Sequence, residues 1–321
     1  MTERAAEQRM TDSIAASGPG VPVGAATVLP AKPRRRRARL TTVIVPYLQA
    51  APLAVILIVF LLVPIVTILI VSFWDYDFAR IIPGFILTNY AEALASPVTW
   101  KTYLNTIKYA AIVWALTALI GFTVAYFLAF HVRTTATRMI LFLVCTVPFL
   151  TSNIIRMISW IPFLGRNGLL NGTLIKLGVI DQPLEFLLFS DFAVVLAMVH
   201  LYVLFMVTPI FNTLMRIDRA LIEAARDAGA SGWQTLANVV IPLAKPGIAI
   251  GSIFVVTLVM GEFTTVRFMS GGQSASVALM MSNQISLLQY PAAAAHAVIL
   301  LITVLIMVAA ILRIVDIRKE L

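Results

Sequence analysis

Residues 47–73 read YLQAAPLAVILIVFLLVPIVTILIVSF and contain no charged side chain. A membrane-spanning helix needs about 20 mainly apolar residues, so this stretch is long enough to cross the hydrocarbon core. A cleaved signal peptide is the competing interpretation. The apolar region of such a peptide is shorter, however, and this stretch has no convincing small-residue cleavage site. It therefore predicts a permanent first transmembrane helix.

The rest of the chain continues this pattern. Of its 321 residues, 60% are hydrophobic and only 12% are charged, which is typical of polytopic membrane proteins rather than soluble domains. Six stretches are long and apolar enough to span a membrane, so we predict an all-α fold with six transmembrane helices. Prolines within these stretches are expected to kink helices that a bundle still supports. The predicted spans are residues 47–73, 104–130, 139–163, 192–211, 248–268 and 292–314, and the prolines are Pro52, Pro64, Pro148 and Pro209.

The positions of Lys and Arg predict the orientation, because basic loops remain cytoplasmic. With the N-terminus inside, 17 of the 24 Lys and Arg residues fall on the cytoplasmic side, and both termini are then cytoplasmic. The net charge of +9 is mainly a topology signal, which argues against a nucleic-acid partner. Residues 1–40 are rich in Ala, Pro, Gly and Arg, and we interpret them as a disordered basic cytoplasmic tail. The membrane domain then covers residues 41–321.

The patterns that usually indicate catalysis are absent from this sequence. It has no G-x-x-x-x-G-K phosphate loop, no G-x-S-x-G elbow, no H-E-x-x-H motif and no paired cysteines. His131, His200 and His296 are far apart, so packing or interfacial solvation is expected for them rather than metal binding. Cys145 is expected to be a small buried hydrophobic residue. We therefore expect no catalytic residue, metal or cofactor on this chain.

The longest predicted cytoplasmic segment between spans is residues 212–247. Asp218 is a plausible N-cap for a helix of good helix formers, and Gly229 is a plausible left-handed stop. Ser231 and Gln234 then have the spacing of a capping box. A first short surface helix and a second helical element are therefore predicted.

The second element has an apolar side that includes Trp233, Leu236 and Val240, and Pro242 and Pro246 are expected to end it before the fifth span. From the residues alone, two interpretations remain open. The loop is either an amphipathic element lying on the membrane face or a docking surface for another protein. Its alanines and Gly229 form a low surface that a second chain could approach closely.

This loop resembles the EAA loop of permease subunits of ATP-binding-cassette (ABC) importers. Glu223, Ala224 and Ala225 are followed by Gly229 and then by VVIP, which ends at Pro242. The family pattern ends in I-x-L-P, so the differences here are conservative. VPFLTSNIIRMISW (147–160), GRNGLLN (165–171) and IPLAKPGI (241–248) are similar to spermidine/putrescine-type permeases, and the resemblance extends from about residue 47 to residue 314. We call residues 212–247 the EAA loop.

The resemblance implies a type I ABC importer permease fold in the bacterial inner membrane. It implies that the EAA loop sits in a cleft of a separate cytoplasmic ATPase, present as a dimer that binds ATP-Mg, and that ATP-driven closure of this dimer moves the loop helix and, through it, the spans. A second homologous permease, an extracytoplasmic solute-binding protein and the lipid bilayer are the other implied partners. The implied ATPase-coupling residues are Glu223, Ala224, Ala225, Asp227, Gly229 and Pro242.

Charged residues within spans are costly and indicate a functional site. Glu262 lies in the fifth span with Arg267 five residues further on, and Arg156 and Trp160 are four apart near the end of the third. One interpretation is an internal Arg–Glu pair that fixes helix register. Another is that Glu262 contacts a cationic substrate while Trp160 offers its ring face. For an anionic substrate, Arg156 and Arg267 would be the contacts.

The leading hypothesis is therefore an importer subunit that needs its partners to work. A passive channel or membrane scaffold would not need a docking helix of this kind. An ion-coupled secondary transporter would usually show an internal repeat and more intramembrane carboxylates. A polyamine such as spermidine or putrescine is the favoured cargo, and an opine, an aminophosphonate or iron is the alternative. Asn105 and Asn153 are expected to form interhelical hydrogen bonds.

Overall fold

The computed structural model describes residues 49–77 and 80–314. The predicted tail, residues 1–40, lies outside the described residues. The chain divides into two units, residues 1–59 and 60–321. In the first unit, residues 49–59 are helical and none of their side chains is buried. The second unit contains the packed core.

The described residues are almost entirely helical. Two short strands, β1 (Asp75–Asp77) and β2 (Arg80–Ile82), pair antiparallel. The helices are α1 (Gln49–Val71), α2 (Thr88–Ala95), α3 (Pro97–Tyr126), α4 (Thr135–Thr146), α5 (Asn153–Ile158), α6 (Trp160–Leu164), α7 (Leu169–Lys176), α8 (Asp191–Leu214), α9 (Arg219–Asp227), α10 (Gly232–Thr235), α11 (Ile241–Met260), α12 (Thr264–Met269), α13 (Val277–Ser286) and α14 (Tyr290–Ile314). A π turn, Phe127–His131, extends α3, and another, Leu236–Val240, joins α10 to α11.

The prediction of an all-α membrane protein is confirmed. Five helical segments in the described residues are long and apolar enough to cross a membrane, and one bent pair of helices brings the number of spans to six. The single segments are Gln49–Val71, Pro97–His131, Glu185–Leu214, Gly232–Met260 and Tyr290–Arg313.

The third span differs from its prediction as a single helix over 139–163. It consists of Thr135–Leu150 and Asn153–Lys176, which meet at an angle of 92°. Pro148 lies in a 3₁₀ turn just before the break, where it has no N–H to continue the helical ladder. The chain is then extended at Thr151, with φ −93° and ψ 153°. The expected kink at this proline is therefore a complete break.

The fifth span also differs from its prediction over 248–268. A continuous helical segment, Gly232–Met260, runs from the EAA loop into the bundle, so Pro242 and Pro246 do not end the loop element. The π turn of Leu236–Val240 relaxes the ladder just before Pro242, which lies in the first turn of α11. Packing in the bundle then supports the second proline. The span ends earlier than expected, at Met260.

Helix α8 is the centre of the core. It begins at Ser190, whose hydroxyl accepts the Ala193 N–H at 3.2 Å, and it packs against α3 and α11. Met198, Met206 and Ile210 on this helix are completely buried. Because long apolar side chains leave no room beside them, the neighbouring helix must be narrow where it crosses α8.

The contact between α8 and α11 requires glycine at position 247. A Cβ atom there would lie 2.6 Å from the Pro209 carbonyl oxygen and 2.6 Å from the Thr213 hydroxyl oxygen. The carbonyl belongs to the backbone of a buried helix, so it has little freedom to move. Gly247 therefore sets the distance between the two helices.

A polar network joins three segments at the bundle end opposite the EAA loop. The Asp191 carboxylate accepts hydrogen bonds from the Lys108 ammonium, the Tyr109 hydroxyl and the Ser274 hydroxyl, each at 2.5 Å. Lys108 and Tyr109 lie on α3, Asp191 begins α8, and Ser274 lies in the loop between α12 and α13. Its residues are far apart in the sequence, and the network was not predicted.

We predict that Gly247→Ala lowers the free energy of unfolding by about 1–3 kcal/mol, because the added methyl group overpacks the helix crossing. Gly172→Ala is the matched control, since a Cβ atom at this helical position in α7 meets no atom within 4 Å. The measurement is the thermal unfolding midpoint of both purified variants in the same detergent. Equal midpoints for the two variants would show that α8 and α11 separate freely.

We also predict that Asp191→Ala lowers the free energy of unfolding by about 1–3 kcal/mol, because three hydrogen-bond donors lose their shared charged acceptor. Lys108→Ala removes only the ion pair, whose side chains are 44% and 46% exposed. It should lower the free energy of unfolding by only about 0–1 kcal/mol. Thermal unfolding of both variants tests this order. A larger loss for Lys108→Ala would contradict the role assigned to the carboxylate.

Candidate coupling loop and substrate cavity

The first helix of the EAA loop, α9, has both of its predicted ends. The Asp218 carboxylate accepts the N–H two residues later at 3.0 Å, which confirms the N-cap. Gly229 has φ +85°, a conformation that side chains disfavour. Its N–H and that of the next residue donate to the carbonyls of Arg226 at 2.8 Å and Ala225 at 3.0 Å. These two hydrogen bonds together form a Schellman C-cap, which fixes the end of the helix.

The predicted coupling residues lie at the surface of the chain. Helix α9 buries none of its side chains. The residues are exposed at Glu223, Ala224, Asp227 and Gly229 and half-buried at Ala225 and Pro242. Although Arg219 and Arg226 have helical spacing to Glu223, neither forms a salt bridge with it in the part of the chain described here. The acidic groups therefore face outward with their charge uncompensated by a neighbouring arginine.

The second element of the loop begins with the predicted capping box. The Ser231 N–H donates to the Gln234 side chain at 2.8 Å, and the Gln234 N–H donates to the Ser231 hydroxyl at 3.3 Å. Val240 is buried against the bundle, as its apolar pattern indicates. Trp233 is different, because 73% of its surface is exposed. A large apolar ring therefore lies exposed on the element that follows α9.

Glu262 lies in the break between α11 and α12 rather than within a helix. One carboxylate oxygen accepts the Thr265 N–H at 2.8 Å, and the other accepts the Tyr202 hydroxyl of α8. The backbone carbonyl of Glu262 accepts the Ser276 hydroxyl at 2.9 Å. This residue thus satisfies polar groups at the helix break and ties it to α8 and α13.

The carboxylate of Glu262 also lines a cavity of about 310 Å³. Phe149, Asn153, Tyr202 and Phe205 contribute to the same wall. A half-buried acid among aromatic rings is a favourable environment for an organic cation. Tyr202 and Phe205 are three apart on α8, so helical spacing could have indicated this face, but the sequence analysis identified neither residue.

Arg156 and Trp160 line a different cavity of about 350 Å³, together with His200. The Trp160 indole N–H donates to His200 Nδ1 at 3.1 Å. Arg156 is 7% exposed, donates to the Asn153 side chain and lies 5.4 Å from the Phe149 ring centre. The structure therefore places Trp160 and Glu262 in separate cavities, which Asn153 and Arg156 connect.

Arg267 is on the other side of the helix break. Its guanidinium donates to the Ser282 hydroxyl and the Asn283 side chain, both at 3.1 Å, on α13. Neither Arg267 nor Arg156 forms a salt bridge with Glu262 in residues 49–77 and 80–314. The interpretation of an internal Arg–Glu pair is therefore wrong in this conformation, because Glu262 accepts from neutral groups instead.

Two further residues of interest in the sequence are Asn171, which stabilises a loop, and Cys145, which lies at the surface. Asn171, the last residue of GRNGLLN, is completely buried and bonds the Leu184 N–H at 2.8 Å and the Gly165 carbonyl at 3.1 Å, so the motif fixes a loop. Cys145 is exposed on the chain surface, and the expectation of burial is wrong. It lies in α4, which contacts few other helices.

Among the described residues, no group of three His, Cys, Asp or Glu side chains could hold a metal ion.

Relatives share most of the length of this chain. It is 34% identical over 248 residues to the spermidine/putrescine transport system permease protein PotB of Salmonella typhimurium (strain SL1344), covering 77% of this chain and 85% of that protein. The protein of that name from Escherichia coli (strain K12) is 33% identical over 77% of this chain and 89% of its own length. The trehalose/maltose transport system permease protein MalF of Thermococcus litoralis is 25% identical over 81% of this chain.

Solved structures support the same architecture. A chain of a bacterial alginate ABC transporter, crystallised with an alginate pentasaccharide-bound periplasmic protein, superimposes with a TM-score of 0.71. The match covers 88% of this chain and 97% of that one at 15% identity, and it confirms the predicted permease fold.

The family assignment decides between the functional hypotheses. The sequence profile of the family of binding-protein-dependent transport system inner membrane components matches residues 118–320. This match confirms the expectation of a transport subunit and argues against a passive channel, a secondary transporter or an enzyme. The chain belongs to the family of binding-protein-dependent transport system inner membrane components, and it is a multi-pass permease subunit of an ABC importer.

Proposed function

We propose that this permease moves a polyamine through a path beside Glu262 and is driven through the EAA loop by a separate ATPase dimer that binds ATP-Mg. It works with a second homologous permease and receives its cargo from an extracytoplasmic solute-binding protein. The observation that carries the cargo proposal is a carboxylate in an aromatic cavity that has no salt-bridge partner among the described residues, in a chain whose relatives are named as spermidine/putrescine permeases.

The cavity of Glu262 suits an alkyl ammonium group. The carboxylate would accept from the ammonium, and the rings of Phe149 and Phe205 would contact the charge and the methylene groups. Because Tyr202 and Thr265 already hold the carboxylate, its position does not depend on the cargo. A preorganised anion of this kind loses little conformational freedom when a cation binds.

Arg156 favours a second candidate cargo. Within residues 49–77 and 80–314 its buried guanidinium has one hydrogen-bond partner, Asn153, and it lines the cavity of Trp160 and His200. A solute with both an amine and an acidic group, such as an opine or aminophosphonate, could use both cavities. A polyamine has no group for Arg156, so the two cargo classes predict different effects of removing this charge.

The surface chemistry of the EAA loop supports the coupling proposal. Helix α9 is held at both ends, buries no side chain and presents Glu223 and Asp227 outward. Exposed alanines and Gly229 give a flat surface next to these acids. ATP hydrolysis is assigned to another chain because this sequence contains no G-x-x-x-x-G-K loop. Such a surface suits a groove with basic groups.

The proposed orientation places the EAA loop and both chain termini in the cytoplasm. This arrangement follows the distribution of 17 of the 24 Lys and Arg residues. The break at Glu262 then lies toward the extracytoplasmic end of the bundle. A solute delivered by a binding protein would meet this end first.

We predict that Glu262→Gln reduces spermidine uptake about 10- to 100-fold at low concentration. The amide keeps the acceptor for the Thr265 N–H but loses the charge, and a charged hydrogen bond contributes about 1.5–3 kcal/mol. Uptake by the reconstituted importer is the measurement. Glu185→Gln is the control, because it removes an acidic charge near the same end of the bundle from a 75% exposed side chain that is already paired with Arg166 at 3.6 Å.

The charge at Arg156 separates the two cargo classes. For polyamine, Arg156→Gln should leave uptake unchanged or increased while Glu262→Gln reduces it. Unchanged spermidine uptake by Glu262→Gln would remove the support for polyamine. Reduced uptake of an amino acid derivative by both variants would favour the second candidate.

We predict that Glu223→Lys reduces co-purification of the ATPase at least about tenfold, because the reversed charge faces the docking groove. Lysine is a good helix former, so α9 should remain folded. Asp181→Lys is the control, because it reverses an exposed charge outside the EAA loop. The amount of ATPase bound per permease and its ATP hydrolysis rate are measured together. Normal association of Glu223→Lys would mean that the loop only lies on the membrane face.

A further inference from the structure

A third cavity lies beside the helix break and is not lined by Glu262. Its volume is about 520 Å³, and its walls come from α1, the segment Gly261–Phe263, α13 and α14. Ile68, Val71, Met281 and Ile285 give it an apolar wall, and Ala294 and Ala297 make α14 narrow there. The volume is within the roughly 300–1,000 Å³ of small-molecule sites.

Arg267 stands at the rim of this cavity. Phe263 and Ser282 both line the cavity, and both contact the guanidinium. The Arg267 Cζ atom is 5.9 Å from the Phe263 ring centre, and the guanidinium donates to Ser282 at 3.1 Å. An exposed cation is therefore held in a fixed place next to an apolar cavity. In the described part of the chain no carboxylate pairs with it.

The chemistry of this site restricts its occupant. Water is a poor filling for an apolar cavity between spans, whereas hydrocarbon fits. A guanidinium without an acidic partner favours an anion, and its planar fork matches a phosphate oxygen pair. Arg267 follows soon after Met260, the end of α11 that is farthest from the EAA loop. It is therefore near the membrane surface, at the depth where lipid headgroups lie.

We propose that this cavity binds one anionic phospholipid of the leaflet away from the EAA loop, with an acyl chain in the cavity and the headgroup phosphate on Arg267. The lipid would fill the space between α1, α13 and α14 and hold the helix break from the side opposite Glu262. This inference is independent of the cargo.

The test uses the purified full chain and native mass spectrometry with phosphatidylglycerol and phosphatidylethanolamine that carry identical acyl chains. Wild type should bind phosphatidylglycerol about tenfold more tightly, because only this lipid has a net negative charge. Arg267→Gln should remove the preference, and Lys101→Gln should keep it, since Lys101 is an exposed cation at the same bundle end. Ala297→Phe should weaken both lipids alike by filling the cavity.

A second readout locates the lipid. Phosphatidylglycerol with a photoactivatable group in its acyl chain should cross-link to peptides of α13 and α14. Equal lipid preference in wild type and Arg267→Gln, or cross-links confined to other helices, would overturn the proposal. Cross-links of these helices to a second permease chain, with lipid absent, would overturn it as well and identify a subunit interface.

Discussion

One uninterrupted helical segment connects the EAA loop with the polar break at Glu262. It runs over Gly232–Met260, and its 29 residues correspond to about 43 Å at 1.5 Å per residue. The prolines at its start do not divide it. A movement applied at the loop is therefore carried to the far end of the bundle without a flexible joint, provided that the helix can slide on its neighbour. That neighbour is α8. Gly247 allows its backbone to contact the segment closely, so the contact fixes the direction in which the segment can move.

The far end of this segment is a helix break held by side chains. Gly261 ends α11. The Glu262 carboxylate accepts the free Thr265 N–H, and the Glu262 carbonyl accepts the Ser276 hydroxyl. In a membrane every freed backbone group needs such a partner, so the break exists only because these polar side chains are present. The same carboxylate lines the cavity. In the proposed function, cargo binding and the conformation of the break would therefore act on one residue.

The parts of the structure that depend on nearby residues were predictable from the sequence. The Asp218 N-cap, the Gly229 stop and the Ser231 capping box each involve a few consecutive residues, and their patterns indicate one geometry. The six apolar stretches were predictable for the same reason, since length and hydropathy determine a span.

The features that were predicted wrongly depend on distant residues. Whether Pro148 kinks or breaks a helix, and whether Pro246 ends one, is decided by the surrounding bundle. One partner of the Glu262 carboxylate is Tyr202, sixty residues away, and no local pattern joins them. Coupling through the EAA loop residues stays a prediction, because it requires a second chain.

Three arginines in this bundle donate their hydrogen bonds to neutral acceptors. Arg138 donates to the Val132 carbonyl, Arg156 to Asn153 and Arg267 to Ser282 and Asn283, all neutral acceptors. Neutral acceptors satisfy the donors but leave the positive charge in place, whereas a carboxylate would cancel it. In the described chain none of the three pairs with Glu262. The separation of these charges therefore leaves an anion free to meet a cationic cargo on one side of the helix break, and a cation free to meet a phosphate on the other.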